Sequence, residues 1–325
     1  MKKFLSVAIV FALVFCLLPG CGSPSSDLHD GEKLKIVTTI FPEYDWIMTI
    51  LGDAAENAEV SMLLDNGVDL HSYQPTADDM VKISTCDIFI YVGGESDDWV
   101  ADALQEAVNK DMVVVNLLET LGDAVKEEEL IEGMEAEDEE DAEDEEIEYD
   151  EHVWLSLRNA GLLCASLADK LGQLDPTNKA AYDANAAAYI EKLNTLDATY
   201  QAAVDAAGVK TVLFGDRFPF RYLVDDYGLN YYVAFAGCSA ETEASFETIR
   251  FLADKVDQLH LHTVLTIEGT NHRIAETIVN TTESKDAQIL TLNSLQSITS
   301  KDVADGASYL AIMESNLDVL KAALR

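Results

Sequence analysis

The sequence predicts an α/β fold: two doubly wound parallel-sheet lobes joined by one long rigid spine helix. Short β-branched runs alternate with helical periods from Leu34 onward, and the same alternation resumes after Gly208. Between the two, an apolar stripe runs from Pro176 to Gly208 with no Gly or Pro inside it. A chain of 325 residues suits two lobes, because a single core seldom grows past ~250–300 residues.

The chain begins with a segment outside that core. Lys2 and Lys3 precede an apolar run from Phe4 to Leu18, and Leu18-Pro19-Gly20-Cys21 follows. Residues 1–20 read as a signal peptide, and the run is too short for a comfortable permanent span. The L-x-G-C ending is similar to a bacterial lipobox, which implies cleavage before Cys21 and diacylglycerol on its thiol. Residues 21–33 are then a polar tether, and two acyl chains would hold the protein, extracytoplasmic, at the outer face of the cell membrane. A plain secretory signal or a short anchor is the alternative.

In the first lobe, residues 34–174, strands are predicted at Leu34–Ile40, Ala58–Leu64, Asp87–Val92 and Met112–Leu117. Tyr44–Leu51, Asp78–Ser84 and Asp97–Asn109 read as the helices between them. The spine, residues 175–208, opens on Asp175-Pro176, an acidic cap followed by proline at the first helical position. Tyr182, Ala186, Tyr189, Leu193, Leu196, Tyr200, Ala203 and Ala207 recur at steps of four and three. A helix of about thirty residues measures ~45 Å, so it must run along both lobes. A coiled-coil dimer would give a similar stripe, but this one spans fewer than four heptads, so a monomer with an internal spine is expected. In the second lobe, residues 209–325, strands are predicted at Thr211–Phe214, Tyr231–Phe235, Thr263–Ile267 and Gln288–Leu292. Helices are expected at Phe220–Tyr227, Glu243–Gln258, Arg273–Val279 and Asp302–Leu324.

Acids outnumber bases 60 to 21, for a formal charge of −39, which excludes a nucleic-acid partner because phosphates need a basic face. Asp123 to Glu151 alone holds 18 acids and the single base Lys126. Such a block repels itself and is expected to be a solvated loop that buries nothing. A cationic ligand would be drawn to the surface as a whole.

Once Cys16 leaves with the signal and Cys21 is acylated, Cys86, Cys164 and Cys238 remain, an odd number at no metal-ligand spacing. Buried free thiols are expected, with one disulfide as the alternative. Ligands in open parallel sheets bind beyond the carboxyl ends of strands. By that rule His71 follows the second strand, and His152 follows the fourth strand and the acidic segment. In the second lobe Asp216 follows the first strand, Glu268 the third and Asn293 the fourth. His29 lies in the tether and His272 opens a helix, while His260 and His262, at period-two spacing leading into a strand, read as structural. A zinc hydrolase built on His71 and His152 is one alternative, but no helix-borne H-E-x-x-H pair exists.

Three stretches carry a family resemblance: V-D-L-H-S-Y-Q-P-T-A-D-D at Val68–Asp79, I-Y-V-G-G-E at Ile90–Glu95, and D-E-H-V-W-L at Asp150–Leu155. The mature chain resembles the metal-binding lipoproteins that feed zinc or manganese to ABC importers. The resemblance implies a metal held between two lobes bridged by a rigid helix, with His71 and His152 as its first-lobe ligands. It also implies an ABC permease as partner and no catalysed reaction.

The second lobe departs from the family pattern. Its third ligand is usually a His or Glu five residues before a Tyr, and counting back from Tyr222 puts Arg217 there, which cannot ligate a cation. One inserted residue near Pro219 would put Asp216 in that place instead. Asn293 stands where an Asp is usual, and Glu268, on the neighbouring strand end, is the expected substitute. Arg217 would then pair with a spare carboxylate. Two imidazoles with carboxylates suit zinc, which is expected, and also suit manganese or iron(II) with extra ligands. A scaffold or adhesin lipoprotein with a degenerate site is the other alternative.

Overall fold

Two four-stranded sheets form, each with the strand order that a doubly wound lobe requires. The computed structural model describes residues 33–134, 148–238, 243–269 and 271–325. The first lobe contains β1 (Leu34–Thr38), α1 (Phe41–Leu51), β2 (Ala58–Met62), α2 (Ala77–Thr85), β3 (Ile88–Tyr91), α3 (Trp99–Gln105), β4 (Val113–Asn116) and α4 (Leu117–Leu121). Two long helices follow, α5 (Leu157–Leu174) and α6 (Lys179–Ala206). The second lobe contains β5 (Thr211–Arg217), α7 (Arg221–Tyr227), β6 (Asn230–Phe235), α8 (Phe246–Leu259), β7 (Thr263–Ile267), α9 (Arg273–Thr281), β8 (Gln288–Leu292), α10 (Ser300–Ala304) and α11 (Tyr309–Ala323). The strand orders are β2-β1-β3-β4 and β6-β5-β7-β8, with every neighbouring pair parallel. Winding reverses beside the first strand of each sheet, so a crevice opens beyond the carboxyl ends of β1 and β3, and another beyond β5 and β7. The central strands are buried on both faces: Ile88, Phe89 and Ile90 in β3, Val264 and Leu265 in β7.

The spine is a helical hairpin. α5 packs antiparallel on α6, and α6 also touches α1 of the first lobe and α7 and α11 of the second. Tyr182, Ala186, Tyr189, Leu193, Leu196 and Tyr200 are its buried stripe, which ends on Val204 where the spacing pointed to Ala203. At 28 residues the helix measures ~42 Å. Asp175-Pro176 does not start it. The Asp175 carboxylate accepts from the backbone N–H of Thr177, the side-chain amide of Asn178 and the Tyr182 hydroxyl, which makes it the turn between the two helices. Tyr200 donates to the Met313 carbonyl at 2.6 Å and Asn185 to the Ile50 carbonyl at 3.0 Å, fastening α6 to both lobes.

Three other expectations are revised. α5 was not foreseen, although Ser156 caps it and Leu157, Ala160, Leu163, Cys164, Leu167, Ala168 and Leu171 repeat at helical steps. The single helix expected at Asp302–Leu324 is two, because Gly306 turns the chain at φ 99° between α10 and α11. The acidic segment packs at its base: Glu127 and Tyr149 form an antiparallel bridge, Lys126 pairs with Asp225 at 2.8 Å, and Ile131 and Met134 join the core. Opposite charge on Lys126 and Arg221 and a few apolar residues overcome the local repulsion there. The middle of the segment, 135–147, and the signal peptide and Cys21 expected within 1–32 lie outside the described residues. Among the described residues no helix is long and apolar enough to cross a membrane.

Candidate metal centre

His71 is presented by a single helical turn, Leu70–Ser72, at the end of the loop that leaves β2. The Asp69 carboxylate caps that turn by accepting the His71 N–H at 3.1 Å. His152 is held more firmly. Its segment is nailed to the second lobe by three bonds: Tyr222 donates to the Asp150 carbonyl at 2.7 Å, the Trp154 indole to the Ser294 carbonyl at 2.8 Å, and Tyr309 to the Trp154 carbonyl at 2.6 Å. His152 and Trp154 are fully buried, their rings 5.2 Å apart.

The Nε2 atoms of His71 and His152 face each other at 3.2 Å. Each ring is engaged at its other nitrogen. The Asp150 carboxylate lies 3.0 Å from His152 Nδ1, and the Ser96 hydroxyl lies 2.7 Å from His71 Nδ1. An ionised carboxylate only accepts, so His152 Nδ1 donates and its Nε2 carries the lone pair in the neutral form. Glu151 completes the frame: its Oε1 accepts the Ser96 N–H at 2.9 Å, and its Oε2, buried with no hydrogen-bond partner among the described residues, lies 3.5 Å from His71 Nδ1. Metal-ligating histidines are oriented by such partners. With zinc–nitrogen bonds of ~2.0–2.1 Å, the edge of a tetrahedron measures about 3.3 Å, close to the observed separation.

The electrostatics keep His71 ready. Burial, then His152 and Arg217, push its pKa down to about 3, so it is neutral at physiological pH. Burial works the same way on His152, but Asp150, then Glu151 and Asp69, outweigh it and raise the imidazole above its ordinary value. Zinc binds only the deprotonated ring, so the raised His152 imidazole makes metal binding weaken as pH falls.

Among the described residues, one group of three potential ligands converges: His71, His152 and Cys238, their ligand atoms within 4.8 Å of one another. Cys86 and Cys164 are buried free thiols, as expected, while Cys238 is half-buried. The sequence reading missed Cys238 as a ligand candidate. The signal was there, because Cys238 stands three residues beyond β6 and the strand-end rule applies to it as well. Gly237 makes the approach possible: a Cβ there would lie 2.8 Å from the Phe218 carbonyl and 3.0 Å from His152 Cε1.

Asp216 and Glu268, the second-lobe ligands expected from sequence, are not in that group. Glu268 accepts from the Ser294 N–H and hydroxyl, both at 2.7 Å, and from Ser297 at 3.2 Å, so its carboxylate organises the turn after β8. Asp216 sits inside β5, which extends to Arg217, and accepts the backbone N–H groups of Arg217 at 2.9 Å and Ile267 at 3.2 Å. It lines the same cleft as His71, about 470 Å³ in volume. Asn293 folds back to accept from the Leu295 N–H at 2.8 Å.

Arg217 does pair with a carboxylate, but with Asp69 at 2.8 Å and not with Glu268. The pair joins the second lobe to the turn that carries His71. Arg217→Ala is expected to leave zinc affinity unchanged or tighter in a chelator competition, because a cation beside the cleft is removed. A loss of more than about threefold would mean that the pair is needed to hold His71 in place.

In the first lobe Asp97 accepts the Gly93 N–H at 2.9 Å, and burial, with Glu151 nearby, pushes its pKa up to about 7. A folded-state value above the unfolded one means that the native protein holds an extra proton, so stability falls as pH rises from about 4 to 7. Asp97→Asn is expected to remove that decline, of about 1–4 kcal/mol, and to narrow the gap between melting temperatures at pH 5 and pH 8. An unchanged gap would show that Asp97 ionises without cost.

Comparison with known proteins agrees with this architecture. Residues 36–323 match the family described as ZnuA, zinc-uptake complex component A, periplasmic. The chain is 31% identical over 330 residues to the high-affinity zinc uptake system protein ZnuA of Bacillus subtilis, covering all of this chain and 99% of that one. It is 34% identical over 297 residues to the zinc-binding lipoprotein AdcA of Streptococcus pneumoniae, covering 90% of this chain but 56% of AdcA's length. The Zn(II)-bound ZnuA-like domain of AdcA superposes with a TM-score of 0.69 at 30% identity, over 90% of this chain and 99% of that domain. The laminin-binding protein Lbp of Streptococcus pyogenes, at 23% identity and a TM-score of 0.70 over 90% of this chain and all of that one, shares the fold. With the family model matched from residue 36 to residue 323, this chain belongs to the family described as ZnuA, zinc-uptake complex component A.

Proposed function

We propose that this protein is an extracytoplasmic solute-binding lipoprotein that captures Zn(II) at His71 and His152 and hands it to an ABC permease. The observation that carries the reading is the facing pair of Nε2 atoms at 3.2 Å, with Asp150 and Ser96 engaging the opposite ring nitrogens. Imidazole donors suit zinc, and the two relatives named above, AdcA and ZnuA, are both named for zinc. Manganese, which favours harder oxygen donors, and iron(II), which takes a carboxylate and further ligands beside two imidazoles, are the less fitting cargoes. The chain acts as a monomer, anchored through acylated Cys21, and catalyses no reaction. Because α6 is fastened to both lobes, wide hinge opening is costly, and release proceeds by small shifts of the second-lobe side on docking to the permease.

The test is metal content followed by competition against a chromophoric chelator. One zinc per chain, bound more tightly than manganese, is expected. Purified protein that takes up no zinc, or prefers manganese, would refute the proposal.

A further inference from the structure

We infer that Cys238 is the third protein ligand, so that the cargo is held by two imidazole nitrogens and one thiolate sulfur. This rests on the zinc-capture reading above and goes beyond it by fixing what the second lobe contributes.

Four observations converge. Cys238 is the residue that completes a three-ligand group with His71 and His152 among the described residues. Its backbone is built to reach them: Gly237 has no Cβ to strike the Phe218 carbonyl or the His152 ring, and the Cys238 N–H is anchored on Glu128 Oε1 at 3.3 Å. The end of β5, where the family resemblance places a ligand, carries Arg217, which is turned onto Asp69. The carboxylates expected to replace it are engaged with backbone N–H groups or serines, at Asp216 and Glu268 respectively. Finally, Cys238 and His71 together border both openings to the pair, the cleft beside Asp216 and a smaller one of about 240 Å³ beside Glu128 and Glu151. An ion entering by either opening meets the sulfur.

The chemistry follows from the donor set. The thiol proton leaves to solvent as the sulfur–metal bond forms, so the thiolate neutralises half of the dication's charge. A soft sulfur donor beside two imidazoles favours zinc over manganese. The half-buried position leaves the Cys238 sulfur within reach of solvent while Cys86 and Cys164 are sealed in the core, although burial, with Glu128 and Asp150 nearby, pushes the Cys238 thiol up and slows its alkylation.

Cobalt(II) serves as the probe because it takes tetrahedral N/S sites and absorbs where zinc is silent. The parent protein loaded with one cobalt is expected to show a sulfur-to-cobalt charge-transfer band in the near ultraviolet beside its d–d bands. Cys238→Ser should lose that band and bind zinc at least about tenfold more weakly, since removing groups that only orient a ligand already costs 10–100-fold. Equimolar zinc should also protect Cys238 of the unmutated protein from iodoacetamide, a readout that needs no variant. Cobalt bound with d–d bands but no sulfur band, together with no protection by zinc, would exclude Cys238 and leave the histidine pair standing. A parent that binds neither ion would overturn both readings.

Discussion

His71→Ala and His152→Ala are each expected to weaken zinc binding by at least about tenfold, with the loss read in chelator competition. Each removes one of two imidazoles whose Nε2 atoms face each other at 3.2 Å, and no other histidine joins the described ligand group. The two variants should differ in the metal-free state. His152 is wholly buried and is the ring partner of the buried Asp150 carboxylate, so its removal leaves a charged group underpaired and costs roughly 1–3 kcal/mol of stability. His71 lies at the cleft wall, where loss of the ring opens Ser96 to water and costs less. Parental zinc titrations for both variants would place the metal elsewhere.

Trp154→Ala should produce the largest loss of stability. The side chain is completely buried, packs on His152 and donates to the Ser294 carbonyl, while its own carbonyl accepts from Tyr309. Truncation of a buried tryptophan costs about 3–5 kcal/mol. That corresponds to a fall in melting temperature of roughly 5–8 °C for a protein of this size. Trp154→Phe keeps most of the volume but leaves the Ser294 carbonyl unpaired, for about 1–3 kcal/mol. Because the indole links the His152 segment to the second lobe, the alanine variant should also lose zinc affinity while still folded at low temperature. A melting temperature within about 2 °C of the parent would show that the two lobes do not depend on this contact.

Most of the fold was legible in the chain because strands buried on both faces leave long β-branched runs, as at Ile88–Ile90 and Thr263–Ile267. The tyrosine stripe of α6 was equally plain, since its steps of four and three fit a helix. What escaped was tertiary. Asp175 reads as a helix cap until α5 is seen to run antiparallel and need a turn there. The base of the acidic segment looks purely repulsive until Asp225 is seen to lie beside Lys126, and Arg221 beside Glu129. At the site, His71 and His152 were legible through their place after strands and the family motifs around them. Cys238 was hidden by its lack of metal-ligand spacing, because its partners are more than eighty residues away in sequence. Glu268 and Asn293 illustrate the converse: a residue at a strand end is near the crevice, yet its side chain can be used up by the turn it starts.

The most direct measurement is the anomalous scattering of a zinc-loaded crystal on either side of the zinc absorption edge. The account predicts one strong zinc peak bonded to Nε2 of both His71 and His152. A dominant peak on the carboxylates of the acidic segment, or on Asp216 and Glu268 away from the two histidines, would contradict it.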